Sequence, residues 1–253
     1  MRILIGTVTS NIKDYCWVRF AKQLRALQNQ GHDVLIIDNS VKTQNRRGFK
    51  VINYKPFHGQ KLQNVTKECM NILRDEFLKG DYTHLFILES DVFISEDTVD
   101  RLLSMDSDIA NFTYLMKLER FNEYSLCVQS TTKEGVSRML TPEDSSQLLD
   151  TGIKTLGKDM LNDKMLTHCG YGCTLIKRKV LEKIVFRDDK TPDDIYPYPD
   201  SYFHLDAQIN KFSNKLDTDW LPEHCNLHDE TKLQRQIIQI QSKTTRRQRR
   251  ATR

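Results

Sequence analysis

Long apolar runs are missing from this sequence. The strongest one, residues 85–88, is far shorter than the roughly 20 residues that a membrane helix requires. An apolar leader is also missing, because the polar residues Thr7, Thr9 and Ser10 closely follow the first apolar segment. That segment is typical of a first strand and not of a secretion signal. We therefore expect a soluble, cytoplasmic protein.

Paired cysteine spacings are absent as well. The six cysteines are scattered along the chain, at positions 16, 69, 127, 169, 173 and 225. In a reducing compartment they are expected to be free and mostly buried thiols. His224, Cys225 and His228, with Cys169 and Cys173, also admit a zinc site. That hypothesis is disfavoured, because no C-x-x-C pair of the kind typical of structural zinc is present.

Glycine is missing where a dinucleotide-binding protein needs it. The first apolar segment continues as Thr7-Val8-Thr9-Ser10-Asn11, without the glycine-rich turn that holds a pyrophosphate. An NAD-type dehydrogenase is therefore disfavoured.

Basic charge is concentrated at one end of the chain. The net charge is +4, but residues 243–253 hold six basic residues and no acidic one, which leaves −2 for the rest. These six are Lys243, Arg246, Arg247, Arg249, Arg250 and Arg253. A nucleic-acid-binding protein would use such a tail on phosphates. No aromatic residue interleaves the tail, and a solvated extension is the structural alternative.

Strand and helix patterns alternate through the first half of the chain. Apolar runs predict strands at 3–6, 34–37, 49–54, 84–88, 109–115 and 173–176. Helical spacing or capping patterns predict helices at 18–30, 61–78, from 95 onward, 179–184, 201–212 and 233–241. Residues 117–167 are polar and predict loops with a short hairpin or helix. The alternation of strands and helices indicates an α/β fold with a mostly parallel sheet and helices on both faces.

Acidic and hydroxyl side chains follow the predicted strands, where a parallel sheet binds ligands. Glu89-Ser90-Asp91 comes directly after the strongest strand, and Thr7 and Asp38 end two others. Two carboxylates spaced two apart suit a divalent cation with oxygen ligands. An acidic surface turn is the structural alternative.

Two further aspartates have structural alternatives of their own. A carboxylate at Asp38 suits a nucleoside, but Asp38-Asn39-Ser40 would also form an Asx-turn readily. Asp200 precedes an aromatic pair in the carboxyl half, where it would suit the cap of a helix beginning at Ser201.

Taken together, these segments resemble a GT-A glycosyltransferase of the family-2 type over residues 2–230. Residues 3–7 resemble the family's first strand and donor-binding turn, which assigns Thr7 to the donor. The resemblance passes the nucleoside contact of the second strand to Asp38. Glu89-Ser90-Asp91 stands where the family keeps its Asp-x-Asp motif, with Glu at the first position. Glu89 and Ser90 then belong to the donor site, and Asp91 is the metal ligand.

The resemblance continues in the carboxyl half. Residues 170–181 are similar to the family's glycine turn, strand and helix beside the acceptor. Residues 200–203 resemble the segment that bears the catalytic aspartate, here Asp200, with Pro199 where the family has an acid. Residues 219–222, followed by His228, resemble the closing segment whose histidine completes the metal site. The family's usual glycine after the catalytic helix is absent.

The resemblance implies a single compact GT-A domain at 1–230, followed by a helix and basic tail at 231–253. Its nucleotide-binding half would be 1–116 and its acceptor-side half 117–230. It also implies transfer of a sugar, with inversion, from a nucleotide-diphosphate donor such as a UDP-sugar, using Mn²⁺ or Mg²⁺. The acceptor would be a glycan or small molecule. A virus-type enzyme that glycosylates DNA through the tail, and a non-enzymatic nucleic-acid binder, are the alternatives.

Overall fold

A computed structural model of the protein describes residues 1–118, 123–132, 137–149, 151–188 and 198–225. The strands of this part are β1 (Ile3–Thr9), β2 (Asp33–Asp38), β3 (Lys50–Asn53), β4 (His84–Leu88), β5 (Val92–Phe93), β6 (Ile109–Phe112), β7 (Leu115–Leu118), β8 (Glu123–Leu126), β9 (Val128–Thr131), β10 (Ser137–Met139), β11 (Lys154–Thr155), β12 (Met160–Leu161), β13 (Lys164–Cys169), β14 (Cys173–Lys177), β15 (Asn214–Asp217) and β16 (Glu223–His224). The helices are α1 (Trp17–Asn29), α2 (Leu62–Lys79), α3 (Thr98–Ser104), α4 (Pro142–Leu148), α5 (Arg178–Lys183) and α6 (Pro199–Ile209), and a 3₁₀ turn covers Asn11–Lys13.

An eight-stranded mixed sheet forms the centre, in the order β11-β15-β6-β14-β4-β1-β2-β3. The run from β4 to β3 is parallel, as is the pair of β15 with β6. β14 is antiparallel to both β4 and β6, so β6 runs in the same direction as β4. The predicted mostly parallel α/β sheet is thereby confirmed. The carboxyl ends of β1, β2, β4 and β6 meet at one edge, together with the amino end of β14.

Two apolar cores lie on opposite faces of this sheet. Side chains of β1 alternate between them, because successive residues of a strand point to opposite faces. Ile3 and Ile5 pack with α1 and α3, whereas Leu4 packs with α2, α5 and α6. β2 and β4 are buried on both faces, which explains why each appears in the sequence as a continuous apolar run.

Residues 117–167 contain more regular structure than the sequence predicted. β9, β10, β12 and β13 form an antiparallel sheet in the order β10-β9-β13-β12, and β7 pairs with β8. A third apolar core joins this sheet to α4, which begins with a capping box between Thr141 and Asp144. The strands are short, and several of their residues are polar. The hydrophobic pattern of the sequence therefore gave little indication of these strands.

Several predicted boundaries move by a few residues. β1 continues to Thr9, β6 ends at Phe112, and α6 begins at Pro199 instead of Ser201. Gly31 follows α1 with a φ of 91°, as expected of a glycine that ends a helix. None of the helices in the described ranges is long and apolar enough to cross a bilayer. The predicted helix at 233–241 and the basic tail at 243–253 lie outside the described residues.

Gly6 allows α2 to approach β1 closely. A Cβ atom at this position would lie 2.6 Å from both terminal methyl carbons of the fully buried Leu73. We predict that Gly6→Ala lowers the free energy of unfolding by about 1–3 kcal/mol, the usual cost of overpacking a core. Leu73→Ala alone should also destabilise, but the double variant should lose less than the sum of the two, because the smaller side chain removes the clash. Urea unfolding of the four proteins measures this, and strict additivity would contradict it.

Candidate active site

The turn after β4 carries Glu89-Ser90-Asp91, and three backbone hydrogen bonds fix its position. The Glu89 amide donates to the carbonyl of Gly172 at 3.1 Å, just before β14. Within the turn, the Val92 amide donates to the Glu89 carbonyl at 3.0 Å. The Cys225 amide donates to the Asp91 carbonyl at 2.8 Å, which brings a distant segment of the chain to the site.

Asp91 is a buried carboxylate with one oxygen paired and one free. Its Oδ2 accepts from the Lys13 ammonium, and Nε2 of His224 lies 3.4 Å from the same oxygen. Its Oδ1 is buried without a hydrogen-bond partner. Burial alone would raise the pKa of Asp91, but His224 and Lys13 outweigh it and hold that pKa at about 2. Asp91 is therefore a fixed negative charge with a lone-pair oxygen available for a ligand.

Glu89 lies beside Asp91 in a different environment. Tyr114, which follows β6, donates its hydroxyl to Oε2 of Glu89 at 3.2 Å. Burial raises the pKa of Glu89, and the negative charge of Asp91 raises it further. Two neighbouring carboxylates that repel each other gain from a cation placed between them.

Tyr114 reaches Glu89 because the turn before β14 is built from glycines. A Cβ atom at Gly172 would lie 2.1 Å from Cε1 of the Tyr114 ring, and one at Gly170 would lie 2.8 Å from its hydroxyl oxygen. The Gly170-Tyr171-Gly172 sequence thus lets a large ring lie directly against the backbone. This gives a physical reason for the glycine turn that the sequence showed.

His224 completes the cluster from the far end of the described chain. β16 pairs with β5, opposing His224 to Val92, and the imidazole stacks on Tyr114 with ring centroids 4.7 Å apart. Nε2 of His224 faces Asp91 while its Nδ1 is buried without a hydrogen-bond partner, and a ring nitrogen of histidine is a common metal ligand. Its environment therefore suits a metal ligand.

The three side chains fit a divalent cation. Glu89, Asp91 and His224 each offer one ligand atom, and these atoms lie within 4.8 Å of one another. Two carboxylates with one imidazole match the preferences of a cation such as Mn²⁺. His228, which the resemblance assigned to the metal, lies outside the described residues.

The zinc hypothesis gains no support from the structure. In the described ranges, this is the one group of three or more such side chains close enough to hold a metal. None of the six cysteines is in a disulfide, and five of them are buried, as predicted.

The hydroxyl side chains at this edge differ in position from the prediction. Thr7 lies inside β1, fully buried, and its Oγ1 has no hydrogen-bond partner. Because β1 extends further than predicted, Thr9 is the hydroxyl at its end, and its Oγ1 donates to Oγ of Ser90 at 3.0 Å. Ser90 is itself buried. Thr9 and Ser90 therefore fasten the end of β1 to the acidic turn.

Asp38 is buried at the end of β2 with both carboxylate oxygens occupied. Its Oδ1 accepts from the Ser40 amide at 2.8 Å, which is the Asx-turn that the sequence allowed, and its Oδ2 accepts from Nε of Arg46 at 2.8 Å. Arg46 is buried too, and its guanidinium also pairs with Asp14 and lies 4.1 Å above the ring of Trp17. Nη2 of Arg46 is buried without a partner. At the end of β2, Arg46 therefore has an unused hydrogen-bond donor, whereas both carboxylate oxygens of Asp38 are already bonded.

Asp200 lies in the first turn of α6, and Tyr198 is the residue at the cap position. The helix-cap alternative for Asp200 is therefore wrong. Its Oδ1 accepts from the Ser201 amide at 2.9 Å. Burial and, to a lesser extent, the negative charge of Glu89 raise the pKa of Asp200 to about 6. A carboxylate with such a pKa is suited to accept a proton near neutral pH.

Sequence reasoning missed Lys13, Tyr114 and Arg46, and it considered His224 only for zinc. None of these residues stands in a recognisable motif, and each meets its partner across the fold. A lone lysine, tyrosine or histidine is ordinarily structural, so the sequence held no local signal for them.

Comparison with solved structures supports the fold. The mannosyltransferase PcManGT from Pyrobaculum calidifontis, in complex with GDP-Man and Mn²⁺, matches with a TM-score of 0.52 and 11% identity, over 90% of this chain and 58% of that one. A mycobacterial protein matches with a TM-score of 0.51 and 14% identity, over 94% and 73% of the two chains. S. aureus TarS residues 1–349 match with a TM-score of 0.49 and 14% identity, over 88% and 59%.

The matches to PcManGT and to the mycobacterial protein, with TM-scores above 0.5, establish a GT-A-like fold, as the sequence predicted. The chain spans 59% of the TarS fragment and 58% of PcManGT. No protein-family model matches the sequence, and no curated protein matches it either.

The pairing of Asp38 with Arg46 predicts unequal effects at the two aspartates that contact this arginine. Asp38→Ala should cost about 3–5 kcal/mol of unfolding free energy, because it leaves a buried guanidinium without its buried partner. Asp14→Ala should cost at most about 1 kcal/mol, since the side chain of Asp14 is 42% exposed. Urea unfolding of the two variants tests this. Similar small losses would show that Asp38 is free to serve the donor alone.

Proposed function

We propose that the protein is a metal-dependent, inverting glycosyltransferase. It moves a sugar from a nucleotide-diphosphate donor, most simply a UDP-sugar, to an acceptor hydroxyl. The observation that carries the proposal is the cluster of Glu89, Asp91 and His224 at the carboxyl edge of the sheet, and the first turn of α6 adds Asp200 as a further carboxyl group. The GT-A-like fold supports it, and PcManGT was solved with GDP-Man and Mn²⁺.

Asp91, Glu89 and His224 would hold Mn²⁺ or Mg²⁺, and His228 remains a further candidate. Such a cation would neutralise the charge that develops on the leaving diphosphate. Asp91 contributes a carboxylate that stays ionised at every physiological pH, because its pKa is about 2. Tyr114 orients Glu89 through its hydroxyl and His224 through ring stacking.

The donor's nucleoside would lie along the ends of β1 and β2. Ser90, hydrogen-bonded to Thr9, belongs to the edge that it would cover, whereas Thr7 is fully buried inside β1. Asp38 would act through Arg46, which it fixes in place, because both of its own oxygens are already bonded. The unpartnered Nη2 of Arg46 is then the group available to an acceptor atom of the nucleoside.

Asp200 would serve as the general base. The acceptor oxygen forms a bond to the sugar's C1 as the bond from C1 to the diphosphate oxygen breaks, and its proton passes to Asp200. The diphosphate leaves with the electron pair of the broken bond. One oxygen of Asp200 accepts from the Ser201 amide, which orients the carboxylate, and the other would take the proton. Attack from the side opposite the leaving group gives inversion at C1.

Asp91 should be required for the metal-dependent part of donor binding. Asp91→Asn keeps the size of the side chain but removes the charge that a cation needs. We expect calorimetry to show that Mn²⁺ tightens UDP binding to the wild-type protein. In Asp91→Asn the contribution of Mn²⁺ should fall by about 100-fold or more, since even outer-shell changes cost 10–100-fold in metal affinity.

Asp106→Asn is the matched control for this measurement. Asp106 precedes β6, at the opposite edge of the sheet, and its side chain is 94% exposed. It should behave as the wild type. Unchanged Mn²⁺-dependent affinity in a folded Asp91→Asn protein would refute the metal site.

Asp200 should control chemistry and its pH dependence. The base must be ionised, so turnover should fall about tenfold per pH unit below a pKa near 6 and level off above it. Asp200→Asn should lower kcat by about 100-fold or more, within the usual range for loss of a general base, and abolish this inflection. UDP affinity should change little.

A control on the same helix separates chemistry from stability. Asp206 pairs with Arg187 through two hydrogen bonds of 2.9 and 3.0 Å, and Asp206→Asn should retain both kcat and the pH inflection. Normal turnover per folded Asp200→Asn molecule would reject Asp200 as the base.

A further inference from the structure

Lys13 places a positive charge inside the proposed cation site. It ends the 3₁₀ turn after β1, and its ammonium donates to Oδ2 of Asp91. The thiol of Cys16 lies 3.1 Å from the Lys13 carbonyl and 3.2 Å from the Ser90 carbonyl, which ties this turn to the acidic turn. The backbone of Lys13 is therefore fixed relative to Asp91, whereas its side chain remains 37% exposed.

The charge balance explains why a cation is needed here at all times. The side chain of Asp91 is only 2% exposed, and Glu89 adds a second carboxylate beside it. An uncompensated buried carboxylate costs several kcal/mol, so the folded protein requires a counter-ion at this position. Lys13 supplies that charge through a flexible four-carbon stem that can turn toward solvent.

We propose that Lys13 is a displaceable counter-ion of this site. It neutralises Asp91 when no divalent cation is bound. When the cation binds, the Lys13 ammonium leaves Asp91 and contacts the donor's diphosphate. The inference rests on the proposed function. It makes the lysine a competitor of the metal and a ligand of the nucleotide, and so a positioning residue that couples the two.

Coupling follows from the competition of two positive charges for one carboxylate. A cation that binds alone, at either oxygen of Asp91, repels the ammonium from Oδ2 and leaves it without a partner. A diphosphate provides a new anionic partner, so the cation and the nucleotide should each tighten the binding of the other. Linkage requires this coupling to be reciprocal, and typical coupling factors are about 5–150-fold.

The test uses Lys13→Gln, which keeps a hydrogen-bond donor but removes the charge. Calorimetric titration of Mn²⁺ without nucleotide should give about tenfold tighter binding to Lys13→Gln than to the wild type. Titration of UDP at saturating Mn²⁺ should give about tenfold weaker binding, and UDP without metal should bind both proteins alike. A purely structural lysine would give unchanged or weaker Mn²⁺ affinity.

Two control variants identify charge as the cause. Lys22→Gln removes a charge from the exposed face of α1 and should match the wild type in every titration. Lys13→Arg keeps the charge and should retain weak binding of Mn²⁺ alone. Equal tightening in Lys13→Arg and Lys13→Gln would overturn the proposal, because loss of competition would not be the reason. The Mn²⁺-induced rise in melting temperature gives a second readout for destabilised variants, and it should be larger in Lys13→Gln than in the wild type.

Asp91→Asn separates this inference from the proposed function. If Asp91→Asn leaves Mn²⁺ binding unchanged, the metal site fails and the role of Lys13 fails with it. If Asp91→Asn abolishes Mn²⁺ binding but Lys13→Gln does not tighten it, the metal site stands and the counter-ion role of Lys13 is wrong.

Discussion

Two carboxylates, Glu89 and Asp91, are withdrawn from water together at the end of β4, and much of the surrounding structure compensates their charge. Lys13 follows β1, Tyr114 follows β6, and His224 lies in β16, which pairs with β5. Two of these side chains depend on other parts of the fold for their positions. Tyr114 needs the glycine turn before β14, and His224 needs the ring of Tyr114 to stack on. The sheet order therefore matters to the site chiefly because it brings these ends to one edge.

The surroundings of Asp91, Glu89 and Asp200 give these three carboxyl groups different acidities. Asp91, paired with a lysine and a histidine, has a pKa of about 2, whereas burial raises the pKa of Glu89 and brings that of Asp200 to about 6. Titratable groups whose surroundings push their pKa values apart are the usual sign of divided roles. Asp91 is suited to hold a cation at any physiological pH, and Asp200 is suited to exchange a proton.

The sequence predicted more of the fold than of the candidate site. Runs such as that of β4 are buried on both faces, so their signal is local and strong, and the turn that follows them was predictable by position. Lys13 and His224 contact Asp91 from 78 and 133 positions away along the chain, and no periodicity encodes such contacts. Asp38 shows the opposite case. The Asx-turn, a local possibility, proved correct, but the buried Arg46 that occupies its second oxygen had no signal.

The segment between β1 and α1 joins the two ends of the proposed donor site. Lys13 pairs with Asp91 at the metal cluster, while the next residue, Asp14, pairs with Arg46 at 2.8 Å beside Asp38. Trp17, at the start of α1, lies against the same guanidinium. The turn that carries Lys13 therefore also carries residues that hold the arginine at the end of β2. Because hydrogen bonds from Cys16 also tie this turn to the acidic motif, the groups proposed for the cation and for the nucleoside share one piece of backbone.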